Sequence, residues 1–246
     1  MFNKKFNLVI CRYHVVLAVA AVLIFWGIAV ASRDAELLFL PLHRYPYRIA
    51  LTFDDGPHDG YTGRLISVLD KANVPATFFI VGSCLEQRPE LARALRDHGH
   101  ELGGHTMTHR NLCRLPEREV AAELSRMREL VRLQCGSDCR LFRPPGGRYD
   151  EKVLDVARKL ELSLVLWTVF PRDHEENDPA AIARRVLEQA DDGGIILLHS
   201  GRQPTIDALP HIITALRRRG YRFVTVSELM KGSVPGAKHY AKIIRN

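Results

Sequence analysis

From Tyr47 onward the chain alternates short apolar, β-branched runs with longer segments whose apolar residues recur at three- and four-residue spacing. Strand candidates are Arg48 to Phe53, Ala76 to Val81, Glu101 to Gly103, Leu141 to Arg143, Ser163 to Val169, Gly194 to Leu198 and Tyr221 to Val224. Helical patterns lie between them at Thr62 to Ala72, Pro89 to His98, Pro116 to Leu133, Asp150 to Leu160, Pro179 to Ala190 and Ile206 to Arg219. Such alternation implies an α/β fold of about seven parallel strands, because a parallel pair needs a crossover long enough to carry the chain back, and a helix is the usual one. Proline stands near helix starts at 89, 116 and 179, and glycine stands just past helix ends at 99, 193 and 220, so the segment boundaries are locally consistent. Alternation alone does not decide between an open sheet and a closed barrel. With 46% hydrophobic residues over 246 positions the chain can bury a sizeable core, and a single domain ending near residue 231 is expected.

The segments outside that pattern read differently. Residues 33–46, punctuated by Pro41 and Pro46, read as a linker, and residues 232–246 as a basic tail. Residues 15–31 form an uncharged apolar run preceded by Lys4, Lys5 and Arg12, so residues 1–32 read as a signal peptide or an N-terminal membrane anchor. The small-x-small site Ala29-Val30-Ala31 favours cleavage, and the long basic leader with its own apolar patch favours retention. Under either reading the basic residues stay inside and the remainder is extracytoplasmic: secreted, periplasmic or tethered to a membrane. There Cys84, Cys113, Cys135 and Cys139 could form up to two disulfides, with Cys135 and Cys139 placed to close a small loop. A single CxxxC without a second pair does not make a zinc ribbon. The charge of +7 is a mild basic excess, and no basic run interleaved with aromatics appears, so nucleic-acid binding is not indicated.

The first strand ends in Thr52-Phe53-Asp54-Asp55-Gly56-Pro57. Two adjacent acids closing an apolar strand must be paired, bound to a metal or shifted in pKa, unless they are merely solvated turn formers. Strand neighbours point to opposite sides, so Asp54 and Asp55 should differ in role. In α/β domains the working groups sit at the carboxyl ends of strands. Here His105 follows the third strand, Arg143 ends the fourth, Asp173 follows the fifth and His199 ends the sixth. His105 and His109 stand four apart, which on a helical turn would place both imidazoles on one face, within reach of one ion. Two histidines with Asp55 would make a three-ligand divalent site with room for water and substrate, leaving Asp54 as base and His199 as proton donor.

These segments in this order, with Arg143-Pro144-Pro145-Gly146-Gly147, Trp167 to Asp173 and Leu197-Leu198-His199, resemble the NodB-homology polysaccharide deacetylases, carbohydrate esterase family four. The resemblance covers roughly residues 47–230 and implies a distorted (β/α) barrel of the NodB-homology type. It implies that Asp54 is the general base, that Asp55, His105 and His109 hold a metal, usually Zn2+, and that His199 is the general acid. It further implies that Arg143 orients Asp54, that Asp173 pairs with His199, and that the Gly146 amide helps hold an oxyanion. Pro145, Trp167 and Leu197 would belong to the substrate-binding surroundings. Two departures stand out: Gly146 replaces a frequent tyrosine, and Phe170 and His174 replace an acid and an aromatic wall residue, which leaves sugar stacking at that wall open.

The expected activity is removal of N-acetyl groups, with release of acetate, from a peptidoglycan- or chitin-like N-acetylglucosamine polymer. O-deacetylation or another amide hydrolysis at the same site is an alternative, and a catalytically silent carbohydrate-binding envelope protein is another.

Overall fold

The structure, a computed structural model, describes residues 47–231. The leader or anchor, the linker and the basic tail lie outside the described residues. Among the described residues no helix is long and apolar enough to cross a membrane.

The chain runs β1 (Tyr47–Asp54), α1 (Thr62–Lys71), β2 (Thr77–Ile80), α2 (Gly82–Gln87), α3 (Pro89–Asp97), β3 (Glu101–Gly104), α4 (Glu117–Cys135), β4 (Leu141–Phe142), α5 (Glu151–Lys159) and β5 (Ser163–Leu164). It continues as α6 (Pro179–Gln189), β6 (Gly194–His199), α7 (Gln203–Arg218), β7 (Tyr221–Phe223) and α8 (Val226–Lys231), with 3-10 turns at Leu112–Arg114 and Pro145–Gly147. The strands pair in the order β5-β4-β3-β2-β1-β6, and every pairing is parallel. β7 joins the amino-terminal half of β1, Tyr47 opposite Tyr221, while β2 takes its carboxyl half, Thr52 opposite Thr77. A parallel bridge from Val169 to Ile196 brings the segment after β5 to the other edge of β6, which curls the sheet into a distorted barrel.

β1 shows why its sequence is nearly continuous apolar: both of its faces are covered. Ile49, Leu51 and Phe53 are fully buried against the helical layer, and each contributes on the order of 1.5–3 kcal/mol by leaving water. Ala50 faces the barrel interior with Phe79, Leu141, Val165 and Ile195. Helix ends follow local chemistry. Asp150 caps α5 by accepting from the Val153 N–H, Asp178 caps α6 by accepting from the Ala180 N–H, and α4 ends on the left-handed Gly136.

The structure corrects the sequence reading in several places. The expected strand Ser163 to Val169 stops at Leu164, because the carbonyls of Val165 and Leu166 accept from the buried Arg143 guanidinium. α7 begins at Gln203 rather than Ile206, with Pro204 in its first turn and Pro210 tolerated inside. α2 and α8 went unread because six residues are too few to show helical periodicity. Cys84, Cys113, Cys135 and Cys139 are all free thiols, so neither disulfide is formed.

Candidate active site

The β1–β6 pairing sets the site's frame, because its last register pair is Asp54 opposite His199. Two groups at the ends of neighbouring parallel strands, facing the same side, are held side by side without help from loops.

Asp54 is 4% exposed and turned to the barrel interior. Its Oδ1 accepts from Arg143 Nη1 at 2.7 Å, and the same nitrogen donates to Thr52 Oγ1 at 2.8 Å. Arg143 is fully buried, its guanidinium carbon 4.1 Å from the centroid of the Phe79 ring. Burial pushes its pKa below the usual guanidinium range, while the Asp54 charge and hydrogen bond oppose that shift. The bonds to the Val165 and Leu166 carbonyls occupy its remaining nitrogens, so the guanidinium is fixed as well as buried.

Asp55 does not follow strand alternation. Its φ of 76° is left-handed, and the turn swings its carboxylate to the side that Asp54 also reaches. His105 Nε2 lies 3.5 Å from Asp55 Oδ1 and 3.8 Å from Asp54 Oδ2, and His109 Nε2 lies 3.2 Å from Asp55 Oδ1. His105 Nδ1 sits 2.7 Å from the Arg143 carbonyl oxygen, to which it donates, so in the neutral imidazole Nε2 carries the lone pair. Burial alone would raise the Asp55 pKa, but hydrogen bonds from His105 and His109, with the charges of His105 and His199, outweigh it and hold the carboxyl well below the usual range. The Asp55 hydrogen bond raises the His109 pKa against partial burial. An anionic oxygen and two imidazole nitrogens, one with its tautomer set by a carbonyl, fit a divalent ion.

The His105 and His109 side chains meet, but not on a helical turn as the spacing suggested. Residues 105–110 form a loop in which Thr106 and His109 have left-handed φ values of 65° and 58°. Glu123 of α4, buried under this loop, accepts from the N–H groups of Met107 at 2.9 Å and Thr108 at 2.8 Å and from the Thr108 hydroxyl. Thr106 Oγ1 accepts from the His109 N–H at 3.0 Å. Sequence reasoning missed Glu123, although it is an acid on the buried stripe of Val120, Leu124 and Met127.

His199 is anchored by Asp173, which is fully buried. Asp173 Oδ1 lies 2.8 Å from His199 Nδ1, and Oδ2 accepts from the His199 N–H at 2.8 Å and from Thr205 Oγ1 at 2.7 Å. Burial opposes the charged imidazole, but Asp173, with Asp54 and Asp55 beyond it, raises the pKa above the ordinary value. The remaining expected residues lie around this centre. Gly146 is exposed, with φ 61°, and a Cβ on Gly147 would come within 2.7 Å of the Trp167 ring. Pro145 and Leu197 are buried beside it. Trp167, Phe170, His174 and His199 form a ring-to-ring series with centroid spacings of 5.7, 5.6 and 5.2 Å.

A polysaccharide deacetylase family model matches residues 44–165. A peptidoglycan-N-acetylglucosamine deacetylase of Bacillus cereus is 35% identical over 188 residues, which cover 74% of this chain and 88% of that protein. A chitooligosaccharide deacetylase of Sinorhizobium fredii is 36% identical over 187 residues, covering 70% of this chain and 87% of that protein. The solved structure of the peptidoglycan deacetylase PdaC from Bacillus subtilis matches with a TM-score of 0.71 at 34% identity, covering 75% of this chain and 90% of that one. The chain belongs to the polysaccharide deacetylase family, carbohydrate esterase family four, and is a hydrolase of carbon–nitrogen bonds other than peptide bonds.

Proposed function

We propose that this chain removes N-acetyl groups from an N-acetylglucosamine-containing envelope or extracellular glycan, with Asp54 as general base and His199 as general acid. The observation that carries the assignment is the Asp54–His199 register pair standing beside the convergent Asp55, His105 and His109. Those three residues would hold the ion, with zinc favoured by two imidazoles and one carboxylate. When bound, the ion supplies Lewis-acid polarisation to the acetamide carbonyl and to the attacking water. Asp54, held by Arg143 at 2.7 Å, takes a proton from that water. The Gly146 N–H is offered to the developing oxyanion. His199, kept protonated by Asp173, delivers a proton to the departing amine; acetate leaves, and the sugar remains in the glycan as a glucosamine unit.

Acetate release is measured side by side on chitooligosaccharide, peptidoglycan and acetylated xylan, which separates N- from O-deacetylation. Chelation followed by dialysis abolishes release and added zinc restores it; activity that survives chelation removes the metal from the reading. Asp54→Asn retains the ion but loses turnover, and an active variant excludes Asp54 as the base.

The catalytic domain is assigned to residues 47–231, with residues 1–32 as a cleaved signal or retained anchor that places it outside the cytoplasm. The size of the mature protein in membrane and soluble fractions separates the two.

A further inference from the structure

His174 and His199 both line the cleft of about 360 Å³ that Asp55 also reaches, so both imidazoles are open to it. Their ring centroids are 5.2 Å apart with the planes tilted by 52°. One nitrogen of each ring and one Asp173 oxygen lie within 4.8 Å of one another. The chemistry proposed above uses only His199 of this pair. His174 stands in place of an aromatic wall residue. It keeps a ring, stacked on Phe170 at 16°, and adds nitrogen ligands to the wall.

Each imidazole has a carboxylate against one nitrogen and keeps the other. Asp173 Oδ1 is 2.8 Å from His199 Nδ1, which leaves Nε2. Glu175 Oε1 is 3.1 Å from His174 Nε2, which leaves Nδ1, and Glu175 Oε2 is held by Arg172 at 2.7 Å. A carboxylate behind an imidazole sets its tautomer and raises the basicity of the remaining nitrogen, which is how metal-ligating histidines are held. Asp173 is fully buried and also accepts from the His199 N–H and the Thr205 hydroxyl, so it backs His199 rather than entering the cleft. Two imidazole nitrogens on one tetrahedral ion stand roughly 3.3 Å apart. His174 is exposed and lies in a turn, so rotation of its side chain can close the remaining distance. Arg202 in the same wall, and an ion held at Asp55, both repel a second cation, so this site is the weaker of the two and fills when the metal is in excess.

We propose that His174 and His199 form a second divalent-cation site, suited to zinc because both ligands are imidazoles, and that its occupation silences the reaction. The ion takes the lone pair of His199 Nε2, the proton which that nitrogen would have carried passes to water, and the departing amine is left without its donor. Zinc is then needed at one site and inhibitory at the other. The inhibition rests on the deacetylase reading above, in which His199 is the general acid; the binding stands without it.

The test titrates the metal-stripped full chain with zinc, counting bound ions by equilibrium dialysis and measuring acetate release from a chitooligosaccharide along the same series. Magnesium, which prefers oxygen ligands, is the control and neither occupies the second site nor inhibits. The wild type takes up two zinc ions, the second more weakly. Its activity peaks near one equivalent and falls by about 100-fold as the second binds, the lower end of what a positioned general acid contributes. His174→Phe keeps a ring against Phe170 but removes the ligand; it takes up one zinc and holds its peak rate in excess zinc. Each rate is compared with the same protein's own peak, and the zinc count needs no active variant, so a general loss of activity does not mimic the effect. A single zinc in the wild type, or a second zinc or an inhibition that His174→Phe retains, overturns the site. Two zinc ions with undiminished activity overturn the inhibition alone. Acetate from no glycan overturns the deacetylase reading, and the zinc count then decides the site by itself.

Discussion

The loop that carries His105 and His109 is held in an unfavourable backbone by one buried acid, and removing that acid should release it. Thr106 and His109 are non-glycine residues with left-handed φ, and each costs about 1–3 kcal/mol. Against this stand the bonds from Met107 N–H, Thr108 N–H and Thr108 Oγ1 to the Glu123 carboxylate, each worth about 1.5–3 kcal/mol because the acceptor is charged. The bonds total about 4.5–9 kcal/mol against about 2–6 kcal/mol of strain, so Glu123 more than offsets the cost of the loop's backbone. In Glu123→Ala both amides lose their partner and the strain is unopposed; stability should fall by about 3–5 kcal/mol, less where water reaches the amides. Glu123→Gln is milder. Its single oxygen can accept from both amides, as Oε2 does now, and the threonine hydroxyl can turn to accept, so only the charge is lost and about 1–2 kcal/mol goes with it. Because His109 lies at the end of this loop, zinc affinity should fall by about 10- to 100-fold in the alanine variant. Urea denaturation reads the first quantity and zinc competition against a chelator the second. Zinc affinity within twofold of wild type in a clearly destabilised Glu123→Ala would refute the link between loop strain and ligand placement. Unchanged stability would refute the account of the buried amides.

Two further outcomes follow from other buried groups. His100, packed on Phe78 with neither ring nitrogen hydrogen-bonded among the described residues, is lowered by burial from 6.5 to about 4, with Asp70 opposing and His98 reinforcing. The unfolded chain therefore takes up this proton first: stability is complete above pH 6.5 and is lost as pH falls towards 4, by roughly 2–3 kcal/mol after allowance for screening. Denaturation series at several pH values should show a flatter profile in His100→Leu, and equal slopes in the two proteins would exclude the residue. Asp173→Asn removes the charge that keeps His199 protonated, so kcat should drop by about 10²–10³-fold and the alkaline limb of the pH–rate profile should move to lower pH. A merely structural role for Asp173 would lower activity without moving that limb.

The legibility of this chain follows what burial does to pattern. β1 and β6 were readable as runs because they are covered on both faces, and the strand-end rule then brought Asp54, Arg143 and His199 together from positions far apart in sequence. β5 was read too long because a β-branched run says nothing about where its carbonyls go. Those of Val165 and Leu166 are taken by Arg143, a long-range partner that no local window contains. The His105–His109 spacing pointed to the right partners through the wrong conformation, since four residues of loop can bring imidazoles as close as one helical turn when Glu123 fixes the loop.

The acid pair shows how conformation decides which chemistry a residue can perform. Alternation would send Asp54 and Asp55 to opposite faces, and a metal ligand on the far face would be useless to a base on the near one. The left-handed φ of 76° at Asp55 cancels the alternation and brings both carboxylates to His105. That conformation costs an ordinary L-residue about 1–2 kcal/mol, and glycine, asparagine and aspartate are the types that adopt it most readily. Of these only aspartate offers an anionic oxygen. Under the proposed ligand role, backbone and ligand demands would therefore meet in one residue type at position 55. Asp55→Asn should keep the turn and the fold while weakening the ion, and Asp55→Glu should keep the charge while losing the turn. Both variants being inactive for different reasons, one read by zinc content and the other by stability, is the result this geometry requires.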